Sequence, residues 1–153
     1  MQLWADATGT ITTAEGFNLG GIITSPDRRA LIVAQGNTGQ LWRFDLRNAS
    51  VTQVDTRGAD LVNADGLVRQ GSRLTVVRNF SRVVSTLRLS HGGSRAQVVR
   101  QQATDPERVL TTVKPLRGQL LYIDSHFDEQ VAAPPYQVIT NPFGTHPPYR
   151  GPR

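Results

Sequence analysis

The sequence predicts an all-β protein made of β-propeller blades, four antiparallel strands to a blade and about three blades in the chain. Three observations carry this. Short apolar or alternating segments recur along the chain, turn residues separate them, and the pattern repeats at a near-constant interval. No window shows helical periodicity.

The first full unit spans residues 17–58. It reads Gly20-Gly21-Ile22-Ile23-Thr24, then Ala30-Leu31-Ile32-Val33-Ala34, then Gln40-Leu41-Trp42-Arg43-Phe44-Asp45-Leu46, then Val51-Thr52-Gln53-Val54-Asp55. Ser25-Pro26-Asp27, Gly36-Asn37-Thr38-Gly39 and Arg47-Asn48-Ala49 fall between these segments and supply turn chemistry. The second unit, 59–102, reads Asp65-Gly66-Leu67-Val68, then Arg73-Leu74-Thr75-Val76-Val77, then Val83 to Leu89, then Ala96 to Arg100. The units superpose at offsets of 43 to 45 positions: Gly21 on Gly66, Phe44 on Leu87, Val54 on Val99. A third unit, 103–140, holds Val109 to Val113, Gln119 to Ile123 and Tyr136 to Thr140, without a recognisable fourth strand. Residues 1–16 read as the outer strand or strands of a preceding blade, with Leu3-Trp4-Ala5 as strand. Residues 141–153 form a Pro/Gly/Arg-rich tail, expected to be mobile or to lie along a surface.

A propeller ring closes with about four to eight blades. Three blades are too few, and open sheet edges invite association. The sequence therefore predicts part of a longer protein, one part of a split protein, or two copies paired by two-fold symmetry into a six-bladed ring. Self-association or a complementary half-propeller is the expected partner.

Composition excludes several chemistries. With no cysteine among 153 residues there are no disulfides, thiolate nucleophiles or thiolate metal sites. No apolar run approaches the ~20 residues of a membrane span. The formal charge is +5, and every basic residue but Lys114 is arginine. These arginines are scattered rather than clustered, which reads as a solvated basic surface and not as a specific nucleic-acid interface. Gly92-Gly93-Ser94-Arg95-Ala96 lacks the final glycine and the strand-to-helix setting of a nucleophile elbow, and reads as a hairpin turn. No phosphate-binding glycine loop is present.

The blade starts carry a resemblance. Gly16-Phe17-Asn18-Leu19-Gly20-Gly21-Ile22 with Ser25-Pro26-Asp27 and Leu31-Ile32-Val33-Ala34 resembles the N-G-I…S-P-D-G…L-Y-V-A pattern of the SMP-30/gluconolactonase/strictosidine-synthase-like six-bladed propellers. Asn63-Ala64-Asp65-Gly66-Leu67 is similar to their P-D-G-L element. The likeness runs from Gly16 to Tyr136 and matches the C-terminal half of bacterial members. It implies a secreted or periplasmic location, although Met1 to Gly20 holds no signal peptide.

In the lactonase members a divalent cation, suited to calcium, sits at the channel mouth on oxygen ligands and activates a lactone carbonyl and water. The resemblance places Asp65 as a metal ligand and the one candidate catalytic acid. The family's N-G-I asparagine falls on Gly20, which cannot ligate. Asn18 and Asn63 are expected near the mouth and able to substitute. Thr112, on the third inner strand, and His126, in the polar loop after Asp124-Ser125, are further candidates for the mouth. His91, His126 and His146 show no metal-ligand spacing. Trp4 and Trp42 read as packing between blades. Three functions follow: a non-catalytic module binding a small molecule or a protein, favoured for this chain; a metal-dependent lactone or ester hydrolase; and an assembly partner in a complete ring.

Overall fold

The fold was obtained as a computed structural model, which describes residues 2–131 and 134–143. Among these, eleven strands form three antiparallel sheets, and there is no helix. The first sheet runs β1 (Leu19–Thr24), β2 (Ala30–Gln35), β3 (Gln40–Asp45) and β4 (Val51–Gln53), in that order. The second runs β5 (Ala64–Gln70), β6 (Arg73–Arg78), β7 (Val83–Leu89) and β8 (Ala96–Ala103). The third holds β9 (Leu110–Leu116), β10 (Gln119–Asp124) and β11 (Gln137–Ile139). Each sheet is an up-and-down meander, its strands joined by turns except for the long connection from β10 to β11. Arg117 and Gly118, with φ of 48° and 81°, make the two-residue turn between β9 and β10 that such left-handed pairs favour.

The sheets stack face to face along their first strands: β1 meets β5, and β5 meets β9. This is the radial arrangement of propeller blades, as the repeat predicts. The alternation of side chains explains why β2 and β6 carry consecutive apolar residues rather than one at every second position. Ile32 and Ala34 enter the core between the first two blades, while Val33, between them in sequence, belongs to a cluster on the opposite face. In the second blade Leu67, Leu74 and Val76 face the first blade, and Val68 and Val77 face the third. Leu110, Val113 and Tyr122 complete that second interface. A strand buried on both faces has no polar side to show.

The expectation of strand at Leu3 to Thr13 is corrected. Residues 2–18 form no strand. Asp6 accepts the Thr8 amide at 2.8 Å, Thr10 and Ile11 donate to the Ala7 carbonyl, and Gly9 takes φ 78°, so the segment curls into a turn. Its apolar residues Ala5, Ala7 and Ile11 cover Val33, Trp42 and Phe44 on the outer face of the first blade. Trp4 stays half-exposed, outside the packing expected of it; Trp42 is buried, its indole N–H donating to Gln35 at 3.0 Å. The tail begins docked, with the Pro142 carbonyl accepting the Asp105 amide at 3.0 Å. Residues 144–153, His146 among them, lie outside the described residues.

Most described arginines are exposed, as expected of a solvated surface, but five depart from it. Arg43 donates to the Gly92 carbonyl of the next blade at 2.8 Å, Arg69 to the Thr24 carbonyl of the preceding one at 2.7 Å, and Arg82 to the Pro106 carbonyl at 2.6 Å. Arg78 binds Asp60 and the Val62 carbonyl, and Arg108 binds Asp124, both from largely buried positions. A planar, permanently charged fork with several donors suits carbonyls left open between sheets.

Candidate functional site

The three first strands share an irregularity at one end. In β1 the pairing skips between Leu19 and Ile22, in β5 between Ala64 and Leu67, and in β9 between Leu110 and Thr112. Each is a β-bulge, one residue more on the inner strand than on its partner. Two glycines make these bulges compatible with close stacking. A Cβ on Gly21 would lie 2.2 Å from the Asp65 carbonyl oxygen, and one on Gly66 would lie 2.5 Å from Thr112 Cα. The repeated glycine found in the sequence is therefore the point where one blade's backbone touches the next.

The bulges of β1 and β5 open onto a groove of about 440 Å³. Its walls carry Phe17, Phe80 and Phe127, and its polar groups include Glu15, Asn18, Asn63, Asp65 and Asn79. Phe17 and Phe80 stack with centroids 6.3 Å apart and planes 22° from parallel. All three phenyl rings are exposed.

Asp65 sits on the bulge of β5. Its Oδ2 accepts a hydrogen bond from Asn79 Nδ2 at 3.1 Å, and no cation pairs with it among the described residues. Burial pushes its carboxyl above the ordinary carboxylate value, against the weaker opposing effect of the Asn79 bond. Every other carboxyl whose ionisation is displaced moves down: Asp6, Asp27, Asp45 and Asp60 are held low chiefly by hydrogen bonds.

Of the residues singled out in the sequence, Asn18, Asn63 and Asp65 all line this groove, and Thr112 and His126 do not. Asn18 is a loop clamp. Its Oδ1 accepts from the Ala14 amide and from Gln35 and Asn37, and its Nδ2 donates to the Ala14 and Gly16 carbonyls. Asn63 holds φ 65°, which asparagine tolerates better than most residues, and its Nδ2 donates to Ser81 Oγ at 3.0 Å. Thr112 lies at the blade contact, its backbone under Gly66. His126 follows the second strand of its blade and is bonded through Nδ1 to Glu129, which raises its pKa. Its neighbour Phe127 reaches the groove instead.

The calcium set implied by the family resemblance is not assembled. The Asn18 oxygen is already taken by three donors, Gly20 has no side chain, and Asp65 is one carboxylate next to an amide N–H donor. Among the described residues no three His, Cys, Asp or Glu side chains group so as to hold a metal ion. The residues missed by sequence reading are Asn37, Asn79, Phe80 and Phe127. Asn79 and Phe80 sit in the turn after β6, where Gly36 and Asn37 sit after β2. An aromatic in a turn flanked by polar residues was the available signal.

No protein-family model and no curated protein sequence matches the chain. Among solved structures it resembles hydrazine synthase of Kuenenia stuttgartiensis, at 18% identity and a TM-score of 0.53, over 78% of this chain and 36% of that one. It also resembles a protein from Lactobacillus plantarum, at 11% identity and a TM-score of 0.56, over 84% of this chain and 42% of that one. The chain thus spans well under half the length of either. These are likenesses of fold, and with the bladed sheets described above they make the chain part of a β-propeller-type structure.

Proposed function

We propose that this chain is a non-catalytic binding module, a propeller portion of the SMP-30/gluconolactonase-like type whose small-molecule site is the groove at the bulged ends of β1 and β5. The observation that carries the reading is the pairing of exposed, stacked phenyl rings with a single half-buried, unpaired carboxyl in one concavity. Exposed aromatic groups beside a few convergent polar groups are the usual make-up of a ligand site. The other polar side chains of the mouth are engaged with loops: Asn18 with residues 14–16, Asn79 with Phe80 and Asp65, Asn63 with Ser81. They support a rigid rim rather than a proton relay. Ligand-observed NMR with a mixed panel of small aromatic and polar fragments tests this. Binders are expected whose signals are lost in Phe80→Ala, a change at an exposed ring. Binding indifferent to Phe80→Ala and Phe17→Ala would overturn the site.

A metal-dependent lactone hydrolase is the alternative that Asp65 keeps open, and hydrolysis of an aldonolactone that requires added calcium and Asp65 would favour it. A second reading, completion of a ring by two copies, is favoured by the three-stranded third blade, whose surface exposes Leu116, Tyr136 and Val138. Sedimentation showing only monomer at micromolar concentration would remove it.

A further inference from the structure

The groove reads the sign of charge opposite to that of the protein around it. The chain carries +5 and sixteen arginines, yet among the described residues the groove lining holds two carboxylates, Glu15 and Asp65, and no arginine, lysine or histidine. From this, and resting on the reading of the groove as the ligand site, we propose that its ligand is an organic cation. An ammonium or quaternary ammonium group would sit against Asp65, and its apolar body against Phe17, Phe80 and Phe127.

The carboxylates elsewhere in the blades show what Asp65 lacks. Asp45, Asp60, Asp124 and Asp128 each meet a guanidinium, at 3.0, 2.6, 2.7 and 2.7 Å. Asp65 meets one neutral amide. Arg78, which pairs with Ala64 beside the bulge, is committed to Asp60 and the Val62 carbonyl, and Arg82, in the following turn, to Asp128 and the Pro106 carbonyl. A partly desolvated carboxylate without a cation is disfavoured in its charged form, and an incoming cation removes that penalty. The phenyl rings act in the same direction. An aromatic face carries negative electrostatic potential, attracts cations and repels anions. Three such rings beside one acid give the two halves of an amphipathic cation their places. A neutral ligand would use the rings and leave the acid unpaired, and an anion would be opposed by both.

Three probes separate charge from shape: phenyltrimethylammonium, its neutral isostere tert-butylbenzene, and benzenesulfonate, each a phenyl ring bearing one tetrahedral group. Dissociation constants come from NMR titration of the full chain. The cation is expected to bind about ten- to a hundred-fold more tightly than the neutral isostere, the sum of one cation–π and one partly buried charge contact. Asp65→Asn keeps an acceptor for Asn79 and should bring the cation down to the level of the isostere without weakening the isostere; Glu15→Gln should do so to a lesser degree. Phe80→Ala should weaken both. If the isostere or the sulfonate binds as well as the cation, and does so through Phe80, the charge inference is overturned and the binding site stands. If none of the three binds, both are overturned.

Discussion

Gly21→Ala is the substitution that most directly tests the stacking of blades. The added methyl would lie 2.2 Å from the Asp65 carbonyl oxygen and 2.8 Å from the Leu67 nitrogen, where ordinary contact begins near 3.4 Å. These are backbone atoms of the next inner strand, so no side-chain rotation relieves the overlap, and β1 and β5 must part by roughly 1 Å. Overpacking of this kind costs about 1–3 kcal/mol, and the loss of unfolded-state freedom on replacing glycine returns about 0.4–1 kcal/mol. The net expectation is a loss of about 1–2 kcal/mol, or a fall in Tm of roughly 2–8 °C for a chain of this size. Gly20→Ala is the internal control. Its methyl would stand 3.6 Å from Asp65 Oδ1, an ordinary contact, and stability should be unchanged or slightly raised. Urea unfolding followed by Trp42, buried on the outer face of the first blade, measures both. If the two variants agree within about 0.5 kcal/mol, β1 and β5 do not approach as described, and the radial stacking argument fails with them.

Three further outcomes follow from the charged groups. Arg108→Ala strands Asp124, whose side chain is 5% exposed, and should cost about 3 kcal/mol or more, whereas Arg82→Ala, whose partner Asp128 is 39% exposed, should cost at most about 1 kcal/mol; paired denaturation curves decide. Asp65 has a folded pKa above its ordinary 3.8, so the folded state holds its proton more tightly and stability falls as pH rises through the window between the two values. Asp65→Asn should therefore melt higher than the parent at pH 7, with the gap closing below the ordinary carboxylate range; a lower melting point at pH 7 would contradict it. His126 should titrate above 6.5 by NMR, chiefly through its bond to Glu129, and fall back in Glu129→Gln. Any stability that pair contributes is complete below the ordinary histidine value and is lost as pH rises through the folded one.

Much of the fold was legible because blades are local. Each strand pairs with its neighbour in sequence, so apolar runs and turn residues report the sheet directly, and the repeat then reports the stacking. Gly21 and Gly66 aligned in the sequence before any reason for their identity was visible. Residues 2–13 misled because Leu3-Trp4-Ala5 has strand composition, while Asp6 and Gly9 a few positions on bend the chain away. The groove was half legible. Asn18, Asn63 and Asp65 could be placed at the mouth because they open or precede inner strands. Phe80 and Phe127 could not, since they come from different blades on turns with no periodic constraint, and their meeting is fixed by blade curvature. The few arginines that bridge blades were not legible for a related reason: a carbonyl left open in one blade is satisfied by a side chain some 45 positions away, and no local pattern records it.

What sets Asp65 apart within the repeat is its side chain and not the bulge that holds it. All three inner strands make the same irregularity, so the backbone feature is common to the blades and cannot by itself define a site. What differs is the residue placed on it: Gly20 in the first blade, Asp65 in the second, Thr111 in the third. A bulge turns its extra residue out of the alternation that would otherwise send it into an interface. On the first blade that freedom is left vacant by glycine, which lets the second blade's carboxyl share the space: a Cβ on Gly20 would stand 3.6 Å from Asp65 Oδ1. A side chain larger than alanine at Gly20 would fill the groove beside Asp65 rather than distort the stack. The glycine at 21 is thus needed to hold the blades together and the glycine at 20 to keep the mouth open, two adjacent residues of one type answering to different physical demands.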